Sequence, residues 1–563
     1  MLWSRLQAWQ PDWTDAQAGF RTGRNCTAQT TALHMMREWL QATNQTAYAV
    51  FLDISKAFDS VSHTAVRLKM LRMGLPPKVV SLIGRHLHAR NNHVMGGVTD
   101  EVITVGRGAP QGSVLGPFLF LVMINDLPEF LEQQVPAWRN EQLPVRRMLW
   151  ADDTLLVSQS PSRVQELLDA CLGWSKMWGL EFNAAKSEVL PLGAHPLSNT
   201  CKVAATFTLN GDAIPSKKTA KHLGVVHVAY AYERKRYDLL WTEEKTATVH
   251  GWAQTLMPLL KERAILSPKK IVRVLRTVIL PSILYGSEAA LPPARAQVAV
   301  NSVLRVMLNA YQRTPRRVLH YLSGLWRVDA LAQQRRLNAL VRWTLPTYAA
   351  PEPAAAIALA KQHRLPWWQE TEKDLIELGL ETQYAVHASS VDEVKLQLAQ
   401  GNCSEAQMEE TCRMISRSWN RVVRSRLDRR EAQWQREQWP QLTAREDELQ
   451  CAMHPLCKEV QAAGSVHLFM PSMVPPDVFQ KQDDVNGPCL LCSLPGGDTM
   501  AHMVSACEAP FAVDARKASG ANPAQFSLPL LLSMDRSAAG ESYSRMNALC
   551  SKLVARRNTL LHA

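Results

Sequence analysis

A chain of 563 residues, 46% of them hydrophobic, is long enough to bury the cores of roughly two to four domains. Lys and Arg outnumber Asp and Glu by 63 to 51, a formal net charge of +12, so a polyanion is a natural partner although charge alone says nothing of fold. No apolar run reaches the ~18 residues of a membrane span, and Met1-Leu-Trp-Ser-Arg-Leu6 lacks a signal peptide's long apolar core, which leads us to expect a soluble, intracellular protein with no membrane partner.

Residues 1–18 read as the end of an amphipathic helix. In Ala18-Gly-Phe20-Arg21-Thr-Gly23-Arg24-Asn25, two arginines around a glycine would let the backbone approach a phosphate while guanidinium groups grip it; the same composition also makes a solvated basic turn. A helix is expected over 27–43, with Leu33, Met36, Trp39 and Leu40 on one face. The apolar run Ala47-Tyr-Ala-Val-Phe-Leu52 reads as a strand ending on Asp53 and Ile54, and leads into Ser55-Lys56-Ala57-Phe58-Asp59.

Val66–Met73 is an amphipathic helix stopping at Gly74, residues 76–90 form another, and the polar stretch 91–101 suggests a hairpin. In Gly108-Ala-Pro110-Gln111-Gly112-Ser113, glycines permit close backbone approach and Pro110 stiffens the loop ahead of a helix over 114–125. A helix N-terminus beside a side-chain amide suits a nucleotide, though such a loop is also a plain turn. Met148-Leu-Trp150-Ala-Asp152-Asp153-Thr-Leu-Leu-Val157 reads as a hairpin whose turn carries two acids. Like charges side by side are costly unless a cation or protons neutralise them, which points to a metal; a lone Asp-Asp turn is otherwise simply solvated. If this hairpin pairs with the strand ending at Asp53, the acids converge as two-metal phosphoryl-transfer sites require.

Leu52-Asp53-Ile-Ser-Lys-Ala-Phe58-Asp59, Gly108 to Pro117 and Trp150-Ala-Asp152-Asp153, in this order and spacing, resemble the palm motifs of reverse transcriptases. The match is closest to those of non-long-terminal-repeat (LINE-like) retrotransposons and extends through most of the first 345 residues. The resemblance implies an α+β fold: a right-hand polymerase palm, an antiparallel sheet with helices, accompanied by partial fingers and a helical thumb. It implies an RNA-directed DNA polymerase that extends a primer 3′ hydroxyl with dNTPs during retrotransposition, on an RNA template, in the nucleus. Asp53 and Asp152, with the Ile54 carbonyl, would then hold two Mg2+ ions, supported by Asp153. Phe58 would lie beneath the sugar and reject a 2′ hydroxyl, Gln111 and Gly112 would contact the incoming nucleotide and its templating partner, and Arg21 and Arg24 would belong to the fingers segment that holds template. Two departures stand out: Trp150 replaces the family's usual Phe or Tyr, and the strands that complete the fingers have no counterpart ahead of Ala18, so the chain is expected to be N-terminally truncated.

After a helix over 162–178, Gly179-Leu-Glu-Phe-Asn183-Ala-Ala-Lys186-Ser-Glu188 resembles the next family motif, in which a lysine lies near the triphosphate; by itself Lys186 is a surface residue. His222-Leu-Gly224-Val-Val resembles the hairpin that grips the primer end. From 234 to 342 the chain carries 19 Lys/Arg against six Asp/Glu, so its polyanion-binding face is expected there. Helices are expected over 268–280, 297–311 and 328–345, with Lys269, Lys270, Arg273 and Arg276 opposite the apolar face of the first; this stretch is similar to the thumb of the same enzymes, and read without that similarity is a solubilising surface. Residues 346–353 read as a linker, and 354–450 as mixed-charge helices of unassigned role.

Eleven cysteines, an odd number scattered outside one cluster, argue for reduced thiols over a disulfide framework. The cluster is Cys489, Cys492, His502 and Cys507, a Cys-x2-Cys-x9-His-x4-Cys spacing suited to a closed, structural Zn2+ site, and it also resembles the knuckle C-terminal to the polymerase in this retrotransposon group. The expected organisation is therefore partial fingers and palm (1–230), basic helical thumb (231–345), linker and helical region (346–480), zinc knuckle (481–512) and C-terminal tail (513–563). The 56 residues after Cys507 are too few for an independent nuclease, so the target-nicking endonuclease is expected to be supplied elsewhere. The competing reading is a catalytically inactive retroelement relic that only binds nucleic acid; a maturase-like protein would lack the metal knuckle.

Overall fold

Asn25 starts the first helix, α1 (Cys26–Ala42), by accepting the Ala28 amide on its side chain at 2.7 Å. The computed structural model describes residues 12–88, 91–93, 102–104, 106–109, 112–193, 206–229, 272–290, 294–307, 316–347, 351–400, 403–436 and 510–519, with isolated positions at 6, 247, 251, 254 and 255. The chain divides into two units: residues 1–241, 288–290 and 336–420 form the first, and residues 242–287, 291–335 and 421–563 the second.

In the first unit, β1 (Thr46–Leu52) follows α1, then α2 (His63–Arg72) and α3 (Pro77–His88). The expected hairpin forms between β2 (Asn91–His93) and β3 (Val102–Thr104). Next come α4 (Leu115–Ile124), α5 (Leu127–Gln134), α6 (Pro136–Arg139), the hairpin β4 (Arg147–Trp150) and β5 (Asp153–Ser158), α7 (Pro161–Trp178) and β6 (Glu188–Gly193). Two further hairpins, β7 (Phe207–Leu209) with β8 (Asp212–Ile214) and β9 (Thr219–His222) with β10 (Val225–Val228), complete this part. Leu223 and Gly224, both at positive φ, make the tight turn of the second, the shape expected from His222-Leu-Gly224.

The main sheet has the order β4-β5-β1-β6, every neighbour antiparallel. Helix α4 is apolar on all sides and buried along its length, so it sits in the core beneath the sheet, where Phe118, Phe120 and Ile124 meet Val50, Leu52, Leu156 and Trp174. Trp138 is fully buried and donates its Nε1–H to the Val157 carbonyl at 2.7 Å, pinning the α6 region to β5. Lys69 is buried with its Nζ bonded to the Met123 carbonyl and the Asp126 carboxylate, both at 2.5 Å, and lies over the Trp178 ring; burial, opposed by Asp126, lowers its pKa to about 8.

The second unit contains a helical turn over 272–274, a π-helical stretch over Leu275–Ile279, then α8 (Leu280–Leu284), α9 (Ala294–Met307) and α10 (Arg316–Ser323). The helix expected to stop at 280 thus runs through Pro281. The wider π turn accommodates a residue that lacks an N–H and crowds the preceding turn. Arg273 and Arg276 are exposed there, while Lys269 and Lys270 lie outside the described residues. A bidentate ion pair, Arg327 to Glu431 at 2.7–3.1 Å beneath the Trp434 ring, braces this unit.

Helix α11 (Val328–Arg342) leads back into the first unit, followed by α12 (Pro351–Gln362), α13 (Pro366–Glu377), α14 (Glu381–Ala399) and α15 (Glu405–Arg436); α16 (Pro510–Ser519) is the last described element. Two expectations are corrected. Residues 12–18 are not helical: the backbone of Ala16 and Ala18 pairs with Leu149 of β4 at 2.8 and 2.9 Å, so a sheet edge takes the hydrogen bonds a helix would have needed. The linker expected over 346–353 becomes α12 from Pro351, because prolines in a first helical turn lose no hydrogen bond, and Ala356, Ile357 and Ala360 are buried where α12 packs on α1.

Arg336 is fully buried and donates to Asp374 through Nε (3.1 Å) and Nη2 (2.5 Å) and to Glu370 through Nη1 (2.8 Å). Arg336→Ala removes the guanidinium that neutralises the buried Asp374 carboxylate, and denaturant unfolding should record a loss of about 3–5 kcal/mol; a loss under about 1 kcal/mol would show that water reaches the pair.

Candidate functional site

Asp53 leaves the sheet directly after β1, and a second segment holds it there. Its N–H donates to Ser187 Oγ at 3.2 Å and its carbonyl accepts the Asn183 N–H at 2.9 Å. Beyond it, Ile54 bridges to Phe182 and the Ser55 N–H donates to the Glu181 carbonyl at 2.8 Å. The strand end and the 181–187 segment therefore form a short ladder that fixes the direction in which Asp53 emerges.

The second part of the site is the β4–β5 turn, made by Ala151 and Asp152. β5 pairs with β1 in the register Leu52 to Thr154, so the next position along brings Asp53 opposite Asp153. Three carboxylates from positions a hundred residues apart thus share one end of the sheet. Asp152 is half-buried and Asp153 exposed overall, yet the surrounding protein still dehydrates the Asp153 carboxyl. That dehydration, then the charge of Asp152, then that of Asp53, pushes Asp153 up to about 6. Lys186 Nζ stands 3.9 Å from Asp53 Oδ2, and with its side chain 70% exposed this ion pair is weak.

The donor set suits a hard divalent cation. Among the described residues no group of three or more His, Cys, Asp or Glu side chains forms a protein cage for a metal. Mg2+, however, uses one or two carboxylates with waters and substrate phosphates. Asp53 and Asp152 could supply those two carboxylates, and the excess negative charge that raises Asp153 is what such an ion would neutralise.

Phe58 lies half-buried, its ring stacked on Phe120 of α4 with centroids 5.0 Å apart, which gives it a rigid floor. The same loop carries the start of the glycine-rich segment: Gly108 N–H donates to Val61 O, and Ala109 N–H to Phe58 O, each at 2.8 Å. Gly108 has φ +98, and a β-carbon there would press on the Asp59 carbonyl at 3.2 Å, so this close approach needs glycine. Gly112 is exposed at φ +76, just before α4; Gln111 lies outside the described residues.

Arg21 and Arg24 face inward. Arg21 Nη1 donates to the Thr14 and Gln17 carbonyls at 2.9 and 3.2 Å, and burial, then the charge of Arg24, lowers its pKa to about 10. Arg24 is buried 3.6 Å from Asp15; burial lowers its pKa while Asp15 and Glu352 oppose the shift. Both arginines brace residues 14–24. Cys489, Cys492, His502 and Cys507 lie outside the described residues.

The family described as "Reverse transcriptase (RNA-dependent DNA polymerase)" matches residues 1–227. An RNA-directed DNA polymerase from the mobile element jockey of Drosophila melanogaster is 32% identical over 37% of this chain and 22% of its own length. The Pol polyprotein of the type-2 retrotransposable element R2DM of the same fly is 26% identical over 63% of this chain and 33% of its own length. Residues 1–227 thus match a reverse-transcriptase domain, and the two relatives come from mobile elements. The α+β fold described above fits a polymerase palm. The chain spans between a fifth and a third of the length of these two curated relatives. Among solved structures, telomerase from Candida tropicalis aligns with 66% of this chain and 53% of its own, at 10% identity and a TM-score of 0.31. Among the described residues of the chain no helix is long and apolar enough to cross a membrane.

Sequence reasoning missed two residues that hold backbone at or next to the acidic positions. Ser187 follows Lys186 and holds Asp53 N–H, and Gln17 meets Ala151 beside Asp152. Neither belongs to a periodic pattern, and both act across more than 130 residues, so no local signal announces them.

The raised Asp153 carboxyl makes a pH test. With a folded value of about 6 against about 4 in an unfolded chain, the folded state binds more protons between these values, and stability falls as pH rises through that window. Asp153→Asn abolishes this loss: its melting temperature relative to the parent should climb from about pH 4 to about pH 6 and stay high above it. A difference that is flat across the window would remove the raised carboxyl from the site.

Proposed function

We propose that this chain is an RNA-directed DNA polymerase that extends a primer 3′ hydroxyl with deoxynucleoside triphosphates on an RNA template, as a step in retrotransposition. The observation that carries the reading is the meeting of Asp53, Asp152 and Asp153 at one end of the palm sheet, close enough that the first two charges raise the third. Asp53 and Asp152 would hold two Mg2+ ions, with the Ile54 carbonyl as a further oxygen donor; such ions would supply acidification of the primer hydroxyl and charge stabilisation for the leaving pyrophosphate.

The chain's own residues do the positioning. The Asn183–Ser187 segment keeps Asp53 at the mouth of β1. Lys186, exposed and within 3.9 Å of Asp53, swings its ammonium to the triphosphate to balance charge on the departing phosphates. Gly112, with Gln111 beside it, lets the nucleotide and its templating partner lie against the start of α4. Phe58, stiffened by Phe120, presents a flat ring beneath the sugar and leaves no room for a 2′ hydroxyl. Arg21 and Arg24 serve the template through the shape of the fingers segment they brace.

In the same reading, the basic helical stretch 231–345 acts as the thumb and grips the template–primer duplex by its phosphates, which makes binding steeply salt-dependent. By their spacing alone, Cys489, Cys492, His502 and Cys507 would hold a structural Zn2+.

Primer extension on an RNA template, comparing the chain with Asp152→Asn, tests the reaction: turnover should fall on the order of a thousandfold while template–primer affinity stays within a few-fold. Equal extension by both proteins rejects the assignment of Asp152. No extension by either, with duplex binding retained, leaves a nucleic-acid-binding relic and sinks the polymerase reading. Phe58→Ala should cut the preference for deoxynucleotides over ribonucleotides by about 10–100-fold, read from competitive incorporation; unchanged sugar discrimination in an active variant removes Phe58 from that role.

A further inference from the structure

The residue ahead of Asp152 is in an unusual state. Ala151 is buried, so both its backbone N–H and its carbonyl need partners inside the protein, and it sits at φ +55, a conformation that L residues other than glycine adopt at a cost. A single side chain supplies both partners. Gln17, fully buried, accepts the Ala151 N–H on Oε1 at 3.0 Å and donates Nε2–H to the Ala151 carbonyl at 3.3 Å.

The clamp is itself braced. Gln17 Oε1 also accepts the Gly19 N–H at 2.7 Å, and the Gln17 carbonyl accepts from Arg21. Gly19 lies flat against the turn, where a β-carbon would collide with the Ala151 nitrogen and crowd the Trp150 carbonyl carbon at 3.1 Å. On either side of Gln17, Ala16 and Ala18 pair with Leu149, whose carbonyl also accepts from the buried Gln29 side chain at 3.1 Å. The backbone from Leu149 to Ala151 is thus held by three neighbouring residues and one remote glutamine. The next two residues along are Asp152 and Asp153.

We infer that Gln17 is a positioning residue for the acidic turn: its amide holds Ala151 in the left-handed conformation and so sets where Asp152 and Asp153 stand relative to Asp53. This rests on the proposed polymerase reading for its consequence in turnover, and on the geometry alone for its consequence in the turn. Gln17 touches neither substrate nor ion, so its loss acts on ion affinity and on kcat, and leaves template–primer affinity in place.

The test uses the full chain with two variants. Gln17→Met keeps the volume and removes both hydrogen bonds; Gln17→Glu keeps the acceptor for Ala151 N–H and Gly19 N–H and removes the donor to the carbonyl. Three quantities are read: hydrogen exchange of peptides spanning 150–154, Mn2+ binding by calorimetry, and primer extension. In Gln17→Met, exchange at 150–154 should rise at least tenfold, Mn2+ should bind about 10–100-fold more weakly, and kcat should fall by a similar factor with template–primer Kd within twofold. Gln17→Glu should fall between this variant and the parent in all three. If Gln17→Met does not fold, Gln17→Glu must still show the faster exchange and weaker Mn2+ binding.

Unchanged exchange at 150–154 in a folded variant overturns the inference, and so does faster exchange with Mn2+ binding equal to the parent's. A uniformly lowered melting temperature with unaltered Mn2+ affinity marks a purely structural glutamine and also overturns it. A parent that binds Mn2+ but extends no primer defeats the polymerase reading alone, and exchange with Mn2+ affinity still decides the role of Gln17. A parent that binds no Mn2+ defeats the inference together with the site.

Discussion

The mutual repulsion of carboxylates gathered at one end of a sheet is the constraint around which the first unit is built. Unopposed, such a cluster would splay or take up protons, and Asp153 is pushed up first by dehydration and then by the charges of Asp152 and Asp53. The fold holds the acids together through backbone. β1 lies between β5 and β6, so its end has no freedom to move, and the 181–187 segment closes over Asp53 from the other side. Beneath the sheet, the wholly apolar α4 provides the packed bed on which these strands rest.

The neighbouring loops are coupled to this end of the sheet as firmly as the acids are. The glycine-rich segment bonds by its Gly108 and Ala109 amides to the loop that carries Phe58, and His63 adds a contact to the Gly108 carbonyl at 3.0 Å. The glycine-rich segment and the Phe58 ring are therefore parts of one packed piece, anchored to α4 through Phe120. Preorganisation of this kind places the cost of assembling a site in folding, so that little remains to be ordered when ligands arrive.

What could be read in the sequence follows from the range of the forces involved. The strand ending at Asp53, the Asp152–Asp153 hairpin, the hairpin at Leu223–Gly224 and helices α1 to α4 are written in local apolar runs bounded by turn residues. The convergence of acids 99 positions apart became legible through motif order, and strand pairing realises it. Residues 12–18 were misread because a few apolar spacings mimic a helix while the edge of β4, some 130 residues on, competes for the same backbone groups. Pro351 and Pro353 fall inside the stretch that reads as a linker, but their position in a first turn makes them helix starters. Gln17 and Ser187 carry no local signature at all, since their role exists only once distant backbone has arrived.

The first unit is assembled from pieces that leave the ribosome far apart in time. Helix α1 finishes at Ala42, but α12, which packs on it, starts at Pro351, and the unit's last stretch runs from Arg336 to Asn420. A nascent chain therefore carries α1 with one apolar side unclothed while some three hundred further residues are translated. The acids follow another order: β1, β5, β6 and the 181–187 segment that hold them all lie within the first 193 residues, so the backbone of the site is written long before the helix that clothes α1.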